Sequence, residues 1–287
     1  IAATFLAAVV ALGPACGADD AADGGTSPGT GGSASAASGP SGAGGASKAG
    51  GSGAEAGQMI VPEVEPHPDC SLTGKWISVQ RTLSVAVVSR EQVKQSAHSW
   101  GYWEFEQNGV EAVAVKGLRC GFQVVSRSTT IPVNITVSRA IWDADTTRSS
   151  NNGRSATYGA TGDGCYLHIE RRYVVRGATV DYFMDPSADL EEAQTQASEI
   201  VPGWEDWDGD GHPGIAFTVS GLASGELYLA LREWHEYRGT TPRGAQKFEV
   251  GMIWNTEQVT LGKDREGLSS ADTISSVEPS ENFIWFV

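Results

Sequence analysis

From residue 71 onward the chain is a succession of short runs in which apolar and polar side chains alternate. Residues 103–106 read Trp-Glu-Phe-Glu, 110–115 set valine against glutamate and alanine, and 131–137 read Ile-Pro-Val-Asn-Ile-Thr-Val. A period of two places one set of side chains on each face, the pattern of a strand with one face on a core and the other in water. The same reading applies to 75–80, 82–88, 122–125, 166–175, 179–183, 215–219, 226–232, 248–254 and 283–287. Turn residues punctuate the runs: Asn108-Gly109 is a strong hairpin signal, and Asn151-Asn152-Gly153 and Gly162-Asp163-Gly164 mark two more. One segment departs from the pattern. Asp185-Pro186 can cap and open a helix, Leu190, Ala193, Ala197 and Ile200 recur at helical spacing over 187–200, and Pro202-Gly203 ends it. This helix is expected to cover one end of the β structure. Many sequential strands and one short helix predict a mainly β fold, an antiparallel β-barrel, with a β-sandwich as the alternative.

The first 70 residues follow other rules. Residues 1–12 (IAATFLAAVVAL) are apolar and uncharged, too short for a membrane helix but the length of a leader's apolar core. No Met or basic stretch precedes them, so the sequence is read as starting inside a leader. Gly13-Pro14-Ala15-Cys16 follows. A small residue before a cysteine, just after an apolar run, resembles the lipobox of bacterial lipoproteins, although Pro14 and the position of Leu12 depart from that pattern. The resemblance implies lipidation of Cys16 and an exported protein anchored in the cell envelope, at the outer membrane. Residues 17–58 are chiefly Gly, Ala, Ser, Thr and Pro, a composition that buries too little apolar surface to offset its chain entropy. The expected organisation is therefore 1–16 leader and lipobox, 17–69 linker and 70–287 one β domain.

Charge narrows the partners. Seven of the 35 acidic residues and one of the 20 basic ones precede Ser71, so the net charge of −15 falls to −9 over the remainder. An acidic domain of this kind argues against nucleic acid, whose phosphates need a basic patch, and suits divalent cations. With Cys16 lipidated, Cys70, Cys120 and Cys165 remain and allow one disulfide in three possible pairings. Cys120 with Cys165 is favoured, because both lie in β-like runs beside glycine.

Leu72-Thr73-Gly74-Lys75-Trp76 opens the first strand straight after coil. It resembles the Gly-x-Trp start of lipocalins and related calycin barrels. That resemblance implies a barrel with Trp76 packed at its closed end. The aromatic end, Phe283 to Val287, resembles the last strand of outer-membrane barrels. Those need strands of about ten residues with an outward apolar band, whereas the runs here are short, so it is read as the closing strand of a water-soluble barrel.

The stretch with nameable chemistry is Asp206-Trp207-Asp208-Gly209-Asp210-Gly211-His212-Pro213-Gly214. Carboxylates at every second position of a tight loop converge, and interleaved glycines permit the turn, as calcium's preference for several hard oxygens requires. Asp206, Asp208 and Asp210 take positions one, three and five of a calcium loop, and the His212 carbonyl the seventh. Position twelve is Phe217, not the bidentate glutamate of an EF-hand. The Asp-x-Asp-Gly-Asp-Gly core is similar to that of dockerin, thrombospondin type 3 and propeller-type repeats, although the ninth position, where propeller repeats place an acid, is Gly214. A further ligand must come from water or from an acid such as Glu205. The expected cofactor is a structural calcium ion.

No catalytic signature stands in a credible setting: the Gly-x-Ser-x-Gly at 25–29 lies in the linker and is no nucleophile elbow, the Gly-x-Gly-x-x-Gly at 209–214 belongs to the acidic loop and opens no helix, and there is no His-Glu-x-x-His. Asp143, Asp145, Glu170, Asp181 and Glu233 are carboxylates without a constellation, and His235 reads as a surface or rim residue. The reading is therefore a binder more than an enzyme: a calcium-stabilised barrel taking a small apolar ligand or an envelope partner, with Trp100, Tyr102 and Trp103 at its mouth. A calcium-dependent hydrolase of carbohydrate or lipid, and an adhesion or structural module, are the alternatives.

Overall fold

The computed structural model describes residues 61–88, 91–126, 133–148, 151–178, 204–221, 224–265, 268, 273–275 and 281–287. These belong to one compact unit. The expected helix over 187–200, the strand at 179–183, Asp181 and Cys16 lie outside them, as does the Asp145 side chain. Among the described residues the chain forms β1 (Gly74–Val88), β2 (Glu91–Asn108), β3 (Glu111–Ser126), β4 (Val133–Val137), α1 (Arg139–Arg148), β5 (Arg154–Thr161), β6 (Gly164–Arg176), β7 (Ile215–Gly221), β8 (Gly225–Pro242), β9 (Phe248–Lys263), β10 (Thr273–Ser275) and β11 (Phe283–Phe286).

All eleven strands join one antiparallel sheet, and it closes on itself. The ring runs β1–β2–β3–β5–β6–β8–β9–β11 and back to β1, in chain order. The other three strands extend this ring. β4 and β5 both pair with β3, at Gln123–Val125 and Glu111–Ala114, so they lie end to end along it. β6 and β7 share β8 in the same way, and β11 and β10 share β1. β4 pairs with β7 as β5 pairs with β6. Three walls of the ring are thus interrupted strands. The first interruption holds α1, the second holds residues 177–214, and the third spans 276–282.

The runs read as separate short strands are in fact pieces of long ones. Segments 75–80 and 82–88 are both β1, and 110–115 and 122–125 fall almost wholly within β3, where alternation lapses at the bulges opposite β2. Strand length therefore does not separate this ring from a membrane barrel. The ring's strands carry exposed Lys75, Glu106, Glu111, Lys116, Glu170 and Glu249, together with exposed Ile77, Val115 and Trp285.

One end of the ring is filled by aromatic side chains. Trp103 stacks on Phe105 at 5.5 Å, and Phe286, fully buried, meets Trp76, Trp103, Phe105 and Phe248. The coil ahead of β1 crosses this end. Glu65 pairs with Ala160 of β5, Cys70 is disulfide-bonded to Cys165 of β6, and the Asp69 carbonyl accepts from Gly244 in the β8–β9 turn. Gln107 of β2 accepts from the Leu72 amide and donates to the Cys70, Gly109 and Tyr158 carbonyls. The folded domain therefore begins ahead of residue 70. Trp76 packs at this closed end, donating to the Leu72 carbonyl.

A second apolar cluster fills the other end, built by Ile215, Val219, Leu227, Leu229 and Leu231 under Ile141 of α1. The helix has a legible start that the alternation masked. Ser138 caps it, its Oγ accepting from the Ala140 amide.

Candidate metal centre

β6 ends at Arg176 and β7 starts at Ile215, yet the two are continuous along β8, so the chain must leave the wall and return to the same place. Two glycines make that junction. A Cβ on Gly177 would lie 2.8 Å from the Gly214 Cα, and one on Gly214 would lie 2.7 Å from the Leu229 carbonyl oxygen. Their φ angles of 74° and 102° are ones that side chains disfavour. The acidic loop is the last part of the excursion. It is laced to the junction by hydrogen bonds from Glu205 N to Gly177 O, from Gly214 N to Glu205 O and from Trp207 N to Gly214 O.

Trp207 anchors the loop. It is buried in the second apolar cluster with Ile215 and Leu229. The acids on either side of it gather instead: Asp206, Asp208 and Asp210 each bring an oxygen within 4.8 Å of the others. Asp206 shapes the turn by accepting from the amides of Gly209 (2.7 Å), Asp210 (3.2 Å) and Gly211 (3.0 Å). Asp210 accepts from the His212 amide, and Asp208 Oδ2 from the Ala216 amide at 3.0 Å. Asp208 Oδ1 is buried and has no hydrogen-bond partner. Burial, seconded by the charges of Asp210 and Asp206 against the Ala216 amide, raises the Asp208 carboxyl above its ordinary range. Like charges about 4 Å apart repel by between about 1 and 4 kcal/mol across the range from bulk water to a protein surface. A bound cation removes that repulsion and gives Asp208 Oδ1 a partner. The donors are all hard oxygens, which suit calcium or magnesium and not a thiophilic metal. The His212 ring is turned away from this role and stacks on Tyr228 at 4.1 Å, which leaves only its carbonyl for an ion.

Several expected assignments are corrected. Cys165 is bonded to Cys70, with Cα atoms 5.6 Å apart, and so not to Cys120, which sits at the β2–β3 bulge. Sequence reading favoured strand cysteines, but Cys70 is brought to β6 by the coil across the closed end. Trp100, Tyr102 and Trp103 do not line one mouth. Trp103 is core, donating to Ser78 Oγ at 3.0 Å. Tyr102 is on the opposite face of β2 bonded to Glu104, and Trp100 lies against Gly121. His235 is not a rim residue but an interior one, 6% exposed and stacked on Tyr237. Burial pushes its imidazole down to about 3, aided by Arg119, Arg154 and Arg176 and opposed by Glu233. Burial alone would raise the Glu233 carboxyl, yet the guanidiniums of Arg119 and Arg176 hold it far below the usual carboxylate range.

Compared with known protein families, curated proteins and solved structures, the chain matches none.

Proposed function

We propose that this chain is an exported envelope protein, lipid-anchored through Cys16, whose β domain is a binding module clamped by a structural calcium ion at Asp206, Asp208 and Asp210. The observation that carries the reading is the carboxylate cluster with its buried, unpartnered Asp208 oxygen, placed where the chain re-enters the ring wall. An ion there ties the end of the 177–214 excursion to β7. Export is supported by the leader-like start, the tether of 17–58 and the Cys70–Cys165 disulfide, a bond that persists in oxidising compartments. Aromatic side chains fill the closed end, so a ligand is better sought at the ring's polar middle than in an apolar cup.

Thermal unfolding of the full chain with calcium, with magnesium and with chelator, beside Asp208→Asn, tests the clamp. Calcium at about a hundred times its dissociation constant adds roughly 2.7 kcal/mol. A calcium-specific rise in midpoint that the variant loses is expected. Equal midpoints in calcium and chelator would reduce the loop to an acidic turn. Incorporation of a palmitate analogue, abolished by Cys16→Ser, tests the anchor.

A further inference from the structure

The wall between β4 and β5 is interrupted, and α1 takes up part of the interruption, with Trp142 against Phe122 of β3. β3 pairs with β5 up to Ala114 and with β4 from Gln123, and the 151–153 turn meets it only as far as Gly117. β6 pairs with β5 up to Ile169, after which a bulge at Ile169–Arg172 turns it out of register with β8. Among the described residues, β3 at 118–122 and β6 at 172–176 therefore face each other without a strand between them. Behind this window is an enclosed cavity of about 20 Å³, room for one water-sized group.

Its lining is strongly cationic. Arg119, Arg154, Arg172 and Arg176 all face it, with Glu233, His235 and Tyr237 behind. Glu233 is the one carboxylate among the described residues that ion-pairs with any of the four, and Arg119 and Arg176 both use it. Arg154 is 4% exposed and ends on neutral oxygens. It donates to the Glu170 and His235 carbonyls and to Asn151 Oδ1, with its guanidinium 4.8 Å from the Tyr237 ring centre. Arg172, at the window's edge, donates to the Asn152 carbonyl. Buried charge is costly unless it is balanced, and among the described residues no carboxylate forms an ion pair with the buried Arg154.

We propose that this window is a binding site for a small oxyanion, a carboxylate or phosphate group, received by the Arg119 and Arg172 guanidiniums at the opening with Arg154 behind them. Planar guanidiniums offer paired donors that match both groups, which is why arginine serves such sites. The proposal rests on reading the domain as a binder and names its ligand class, but none of its residues belongs to the metal cluster.

The test is calorimetric titration of the full chain with inorganic phosphate and, separately, acetate, at ionic strength held constant with chloride. Each is run in calcium and in chelator, so that failure of the clamp and failure of the anion site are distinguished. Arg172→Gln removes a rim cation whose one hydrogen bond is to a carbonyl. Arg171→Gln removes the neighbouring charge, which instead lies over Trp234 at 3.8 Å, outside the site. Saturable binding of phosphate or acetate, weakened at least tenfold by Arg172→Gln and unchanged by Arg171→Gln, is expected, and the tighter of the two anions identifies the group. No saturable binding of either anion, or equal weakening by the two variants, overturns the proposal.

Discussion

His235 allows the interior polar layer to be tested through pH. In the folded chain its imidazole is held at about 3, by burial first and then by the three arginines around it, against an ordinary value of 6.5. In the unfolded chain it takes up a proton as pH falls below about 6.5, while the folded chain leaves it neutral. The unfolded state then binds more protons, so stability falls with falling pH, by about 1.4 kcal/mol per unit until the folded value is reached. The contribution is whole above pH 6.5 and is progressively lost between 6.5 and 3. At pH 5 the loss is about 2 kcal/mol. The perturbation is His235→Gln, which removes the titrating group. The assay is urea unfolding at pH 7.5 and pH 5, followed by the fluorescence of the nine tryptophans, in a phosphate-free buffer of fixed ionic strength. The variant is less stable than the parent at pH 7.5, but the decisive quantity is the change between the two pH values. The parent loses about 2 kcal/mol more than the variant. His98, lowered by its own burial and by Arg81, titrates alike in both proteins and cancels. Equal losses in the two proteins would refute a neutral, buried His235.

Other expectations follow from the same geometry. Replacing Cys70 and Cys165 together by serine opens a cross-link of sequence separation 95, and chain entropy puts its contribution near 4–5 kcal/mol; a change in urea unfolding below about 1 kcal/mol would mean the coil across the closed end is held without it. Gly214→Ala sets a methyl 2.7 Å from the Leu229 carbonyl at a φ of 102°, and lowers the unfolding free energy by more than about 1 kcal/mol; an unchanged midpoint would show that the β6–β7 junction can yield. Phe286→Ala removes a fully buried ring in contact with four other aromatics and costs about 3–5 kcal/mol by chemical denaturation, whereas a cost under about 1 kcal/mol would mean the closed end is loosely packed.

Local chemistry made much of this protein legible from its sequence. Alternation of period two marks β2 around Trp103 and Phe105 because a pleated strand must send successive side chains to opposite faces, and Asn108-Gly109 supplies the hairpin its neighbours need. Asp206, Asp208 and Asp210 could be read as a cation site because their spacing alone brings the carboxylates together. The helix after Ser138 went unread, because a single short helix has little periodicity to read. What the sequence could not determine depends on contacts between distant segments. The disulfide partner of Cys165 was decided by the path of the coil over the closed end, 95 residues away in the chain. The end-to-end placement of β6 and β7 was decided by their common neighbour β8. Arg119, Arg154, Arg172 and Arg176 have no shared motif, and only the gap between β3 and β6 gathers them. Side-chain spacing along a strand is set by the backbone itself, whereas which strands meet, and which charges they bury together, is set by closure of the ring.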